Sequence, residues 1–116
     1  MIGSKAKDLP APAHIVWKSL VEPKQPNARQ WLALLEDEVE PTVLAAVEPA
    51  MVLWSSLWPN RPHDRVRFDL EARKSSTLLQ FTVLAEEPAP DEGMTRHLRY
   101  RIAELLFSGL RSSYGQ

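Results

Sequence analysis

The chain has 116 residues, a formal net charge of −1, 44% apolar and 25% charged residues, and no cysteine. That length supports one core and argues for a single domain over 1–116, the balance is that of a globular and not a disordered protein, and the charge gives no general case for a nucleic-acid or anionic-membrane partner. Lack of cysteine excludes disulfides, thiol nucleophiles and thiolate metal sites, and fits a reducing, cytoplasmic setting.

Met1 to Pro10 carries lysines but no apolar h-region, and no later run approaches the roughly 20 apolar residues of a membrane span. Residues Ile2 to Leu9 alternate weakly, which at best makes an edge strand. Pro10 and Pro12 punctuate the chain, and Pro12 suits the first turn of a helix, where its missing N–H is no loss. Ala13, Val16, Trp17 and Leu20 follow at i, i+3, i+4 and i+7, so the spacing predicts a short amphipathic helix from about Pro12 to Val21, closed by Pro23 and Pro26. Asn27 and Gln30 have capping-box spacing, and Ala28, Trp31, Leu32 and Leu35 form the stripe of a second short helix. The acidic run Glu36 to Glu40 reads as a solvated helix end and loop.

From Pro41 the texture becomes branched and aromatic. Val43, Leu44 and Val47, then Met51 to Trp58, predict two strands broken by Pro49 and Pro59. Both faces of the second are apolar, so alternation leaves open whether Val52 and Trp54 or Met51 and Leu53 point inward. Arg65 to Glu71 alternates cleanly, with Val66, Phe68 and Leu70 inward. After the polar turn Ala72 to Ser76, Leu79, Phe81 and Val83 share one face of a strand from Leu78 to Ala85. Glu86 to Pro90 is a linker. The stretch Asp91 to Tyr114 is then the one long helix: Met94, Leu98, Ile102, Leu105 and Gly109 recur at steps of three and four, and Leu106 widens the stripe. Asp91 can cap its amino end. Gly109, costly inside a helix by ~1 kcal/mol relative to alanine, points to close approach of a strand or partner helix. Arg101 falls beside the stripe, able to reach a ligand carboxylate or to pair with a strand carboxylate such as Asp69; Tyr100, Glu104 and Arg111 lie on the far side.

No catalytic or metal motif accompanies this order. His14, His63 and His97 lack ligand spacing and read as surface residues. Neither Gly-x-Ser-x-Gly nor a Gly-rich phosphate loop is present. Trp17, Trp31, Trp54 and Trp58 could line a pocket for a flat apolar ligand, or simply fill the core of a small domain.

The order of elements resembles the SRPBCC superfamily, the START-like, helix-grip proteins related to polyketide cyclases. The likeness is carried by Val16-Trp17 and Leu20, by Leu53-Trp54-Ser55-Ser56-Leu57-Trp58-Pro59, by Arg65-Val66-Arg67-Phe68-Asp69-Leu70, and by Leu98-Arg99-Tyr100-Arg101-Ile102 with Glu104-Leu105. The resemblance implies an α+β fold in which a curved antiparallel sheet of about four to five strands grips a long C-terminal helix, with two short helices near the N-terminus. It also implies a cavity between sheet and helix. Larger members have more strands, so an early hairpin is missing here and the cavity is small or open. Lys74-Ser75-Ser76 stand where the family usually has glycines.

On that fold, Phe68, Phe81, Leu98 and Ile102 are the expected lining, joined by Trp54 and, as a polar contact, Arg101. The expected function is a binding or carrier protein for a small apolar or aromatic molecule, with no cofactor and no metal. The alternatives are a cyclase or aromatase, against which no acid/base pair stands out, and an interaction module of the chaperone-activator type, in which homodimerisation could cover an exposed sheet edge. Fold alone does not choose among them.

Overall fold

The computed structural model describes residues 3–25, 30–85 and 90–114. Its elements are β1 (Gly3–Leu9), α1 (Ala13–Val21), β2 (Val43–Val47), β3 (Met51–Ser55), β4 (Arg65–Ala72), β5 (Thr77–Leu84), and a terminal helix formed by α2 (Glu92–Glu104), a π-helical segment (Leu105–Leu110) and α3 (Arg111–Ser113). The five strands make one antiparallel sheet in the order β1-β5-β4-β3-β2. Period-two alternation sets its inner face, because residues directly opposite across a ladder project to the same side. Phe68 stands opposite Phe81 and Val66 opposite Val83, and all four are fully buried. β3 adds Trp54 opposite Val66 and Val52 opposite Phe68, so Val52 and Trp54 point inward and Met51 and Leu53 are half-buried. A bulge between Val43 and Ala45 offsets β2 on β3 and bends that edge.

The β4–β5 hairpin closes without a glycine. Arg73 N–H donates to the Ser76 carbonyl at 2.9 Å, and no described non-glycine residue has positive φ, so Lys74-Ser75-Ser76 meet no steric penalty.

Pro12 is the cap of α1 and not its first turn: its backbone is extended, and its carbonyl accepts from the N–H groups of Ile15 and Val16. Val16 and Leu20 are fully buried. Two indoles fasten α1 to the sheet in opposite senses. Trp17 Nε1–H donates to the Met51 carbonyl at 3.1 Å, and Trp54 Nε1–H to the Leu20 carbonyl at 2.8 Å.

The second short helix does not form across the described residues of its span. Asn27 and Ala28 lie outside them, and from residue 30 to 42 the chain is irregular. Trp31, Leu32 and Leu35 do have helical spacing, but Trp31 is claimed by a stack on Trp54, with ring centroids 6.1 Å apart and planes at 21°. Glu38 is claimed by the terminal helix. Tertiary contacts override a short, weak local preference here. The segment lies as a strap against the terminal helix.

Asp91 caps that helix as expected, its carboxylate accepting from Met94 N–H at 2.7 Å. Leu98, Ile102, Leu105, Leu106 and Leu110 form the buried face. In the π-helical segment Arg111 N–H reaches back to the Leu106 carbonyl, and the wider turn shifts the helical phase. Leu110 therefore takes the buried place that an unbroken α-helix would give Gly109. Gly109 instead meets the strap: a Cβ there would lie 2.9 Å from the Trp31 carbonyl oxygen. Close approach is its role, but to the strap and not to a strand or partner helix.

Candidate ligand-binding site

Sheet and terminal helix bring the expected apolar lining together. Trp54, Phe68, Phe81, Leu98 and Ile102 are each 0–1% exposed. The rings of Trp54 and Phe68 meet edge to face at 4.7 Å, the favoured geometry for such a pair. Phe81 is tilted against Phe107 at 6.0 Å, and Trp31 extends the aromatic wall outward from Trp54.

Arg101 stands at the border of this wall, 4% exposed, with all three guanidinium nitrogens engaged. Nε and Nη2 grip the two oxygens of Glu38 at 2.8 Å each, Nη2 also donates to the Ala33 carbonyl at 2.7 Å, and Nη1 donates to Glu104 at 2.6 Å. Its carboxylate partner is thus in the strap and not Asp69, which pairs with Arg67 on its own strand. Burial by itself would raise the Glu38 carboxyl. Hydrogen bonds from Arg101 and from Leu35 N–H and the Arg101 charge outweigh it, and hold the pKa below the ordinary carboxylate value. A bidentate Arg–carboxylate pair is directional as well as strong, so this one fixes the strap, and with it Trp31, against the helix.

Where α1, Trp31 and the end of the terminal helix meet, the surface opens into a half-enclosed cleft of about 250 Å³. Ile15, Pro23, Trp31 and the ring of Tyr114 supply its apolar wall, and Lys18, Ser19, Gln25 and Ser113 its polar members. Ser19 Oγ–H donates to the Ile15 carbonyl at 3.0 Å and accepts from the Tyr114 hydroxyl at 2.9 Å. Burial raises the Tyr114 pKa, only partly opposed by Ser19, so the phenol stays protonated at neutral pH. The Trp31 indole N–H is buried and has no hydrogen-bond partner, an unusual state for a polar group in a folded protein.

None of the six residues expected from the sequence lines this cleft. Trp31 was legible as one of four tryptophans suited to a pocket. Ser19 and Tyr114 carried no such signal, because a serine in a short helix and a tyrosine at the end of a long one are common without function. His14, His63 and His97 are all exposed.

No protein-family model matches the sequence, and no curated protein matches it either. Solved structures do match in shape. CalU16 of Micromonospora echinospora superposes with a TM-score of 0.65 at 18% identity, covering 93% of this chain and 73% of that one. The Aha1 dimer of Colwellia psychrerythraea gives 0.64 at 14%, with 90% of each chain covered. A START superfamily protein of Mycobacterium smegmatis gives 0.61 at 22%, over 95% of this chain and 94% of its own.

Proposed function

We propose that this chain, which has the helix-grip fold of the START-like (SRPBCC) superfamily, is a binding protein for a small apolar or aromatic molecule, with no catalysis of its own. The observation that carries the proposal is the cleft of about 250 Å³ ending on Trp31. Its volume lies just under the ~300 Å³ at which pockets for drug-sized ligands begin, which suits a one- or two-ring molecule. Such a ligand packs against Trp31 and the ring of Tyr114 where they line the cleft. Trp54, Phe68, Phe81, Leu98 and Ile102 form the apolar wall behind, available to a larger ligand if Trp31 swings aside. In this reading Arg101 acts from a distance by anchoring the strap that carries Trp31.

Titration with naphthol, a neutral bicyclic probe, tests this. About one molecule per chain should bind and quench tryptophan emission, and Trp31→Ala should weaken binding about tenfold, the loss of one aromatic contact. Absence of binding, or binding indifferent to Trp31→Ala, defeats the proposal.

A second reading, self-association, is supported by β2. This edge strand carries no charge, and Leu44 and Val47 are 46% and 57% exposed; an uncharged free edge is a template for another strand. The Aha1 neighbour is itself described as a dimer. Light scattering on the eluted protein gives the oligomeric state directly.

A further inference from the structure

The opposite edge of the sheet has a different chemistry. In β1, Lys5 stands opposite Phe81 and Lys7 opposite Leu79, so both lysines project to the face of the sheet that the terminal helix covers. Two adjoining grooves of about 310 and 370 Å³ run between them and that helix, sharing Lys5, Tyr100 and Ala103. The helix adds Arg96 and Arg99 from its side. Four cations thus converge from two elements in a chain whose net charge is −1.

Their counter-charges are few. Glu104, the one carboxylate among the described lining residues, already accepts from Arg101 at 2.6 Å and from the Tyr100 hydroxyl at 3.1 Å. Arg96 has a long, exposed contact to Glu92 at 3.9 Å. Lys5, Lys7 and Arg99 have no ion-pair partner among the described residues. The floor between the charges is apolar: Ala103, the exposed ring of Tyr100, and Phe107, with Lys7 Nζ 5.9 Å from the Phe107 ring centroid.

Inward-pointing lysines on an edge strand can serve only to discourage edge-to-edge pairing. That role does not account for Arg99 and Arg96, which belong to the helix. We propose that the groove between β1 and the terminal helix binds a soluble anionic amphiphile. Its carboxylate or phosphate head is held by Lys5, Lys7 and Arg99, and a short apolar tail lies on Tyr100, Ala103 and Phe107. Charge complementarity selects the head and the apolar floor selects the tail. This site is separate from the Trp31 cleft and stands or falls independently of it.

Calorimetry and amide chemical-shift mapping with octanoate test the proposal. Octanoate should bind at about one per chain and shift the amides of Lys5, Tyr100, Ala103 and Phe107. Lys5→Glu and Arg99→Glu, each with the parent's melting curve, should weaken it about tenfold, the loss of one charge-assisted contact. Naphthol affinity should be unchanged in both variants, which keeps failure here distinct from failure of the cleft. Equal binding of octanol removes the role of the head, and equal binding of inorganic phosphate removes the role of the tail. Binding to phosphatidylglycerol vesicles without binding to octanoate replaces the soluble ligand by a membrane surface. Any of these results, or no binding of octanoate, overturns the proposal.

Discussion

Glu38 and Arg101 have side chains 0% and 5% exposed and are 63 positions apart in sequence. Removing one partner leaves the other charge buried, so Glu38→Ala or Arg101→Ala should each cost about 3–5 kcal/mol in urea unfolding. Replacing both by leucine should cost less than either single change, because no uncompensated charge then remains. The pair also sets a pH dependence. A carboxylate whose folded pKa is depressed contributes stability above its unfolded pKa of about 4.3, and that contribution is lost as pH falls through the lower folded value. The parent should therefore weaken on acidification below about pH 5, and Glu38→Gln should show a flatter profile across that window. Gly109 supplies a test of opposite sign to helix propensity. Alanine there should add up to ~1 kcal/mol if the helix were all that mattered, but its Cβ would meet the Trp31 carbonyl at 2.9 Å. Net destabilisation, together with weaker naphthol binding, is the expected result.

The terminal helix carries the core from its buried face. Ile102→Ala and Leu105→Ala should each cost about 2–5 kcal/mol in thermal or urea melts, as for other large buried aliphatic residues. Glu104 projects to the far side as its helical angle requires, yet it bends back to Arg101 and Tyr100. Glu104→Ala should accordingly lose about 0.5–1 kcal/mol, the upper part of the range for exposed pairs. The elements most legible in sequence were those with one dominant period: β4 and β5 alternate, and α2 repeats at three and four. Two features escaped for physical reasons. The strap has helical spacing, but its decisive partners, Trp54 and Arg101, lie far away in sequence, where no local pattern can register them. The π-helical segment has no compositional mark, so the stripe ran through Gly109 in the sequence and through Leu110 in the fold. The inward face of β3 was ambiguous for a related reason, since both faces are apolar and only the register on β4, together with the bond from Trp54 to Leu20, decides.

Over the whole molecule the two sheet edges differ in kind. β1 places lysines on the covered face, while β2 is five uncharged residues. If β2 mediates self-association, Val47→Lys should convert an associated species to monomer in light scattering with little change in melting, because Val47 is largely exposed. The basic groove was not legible from sequence, because a weakly alternating polar strand gives no sign of which face it turns inward until its register on β5 is known. The same register has a consequence in time. Gln80 and Ser4, hydrogen-bonded across β1 and β5, are 76 positions apart. At the ribosomal rate of roughly 5–20 residues per second, β1 waits about 4–15 s for its partner to be made. β1 precedes the β3–β4–β5 meander in sequence but cannot pair until β5, its partner in the sheet, has been made. Charged residues on an unpaired strand oppose its aggregation, so Lys5→Val with Lys7→Val should lower the soluble yield of expressed protein more than it lowers the melting temperature of what folds.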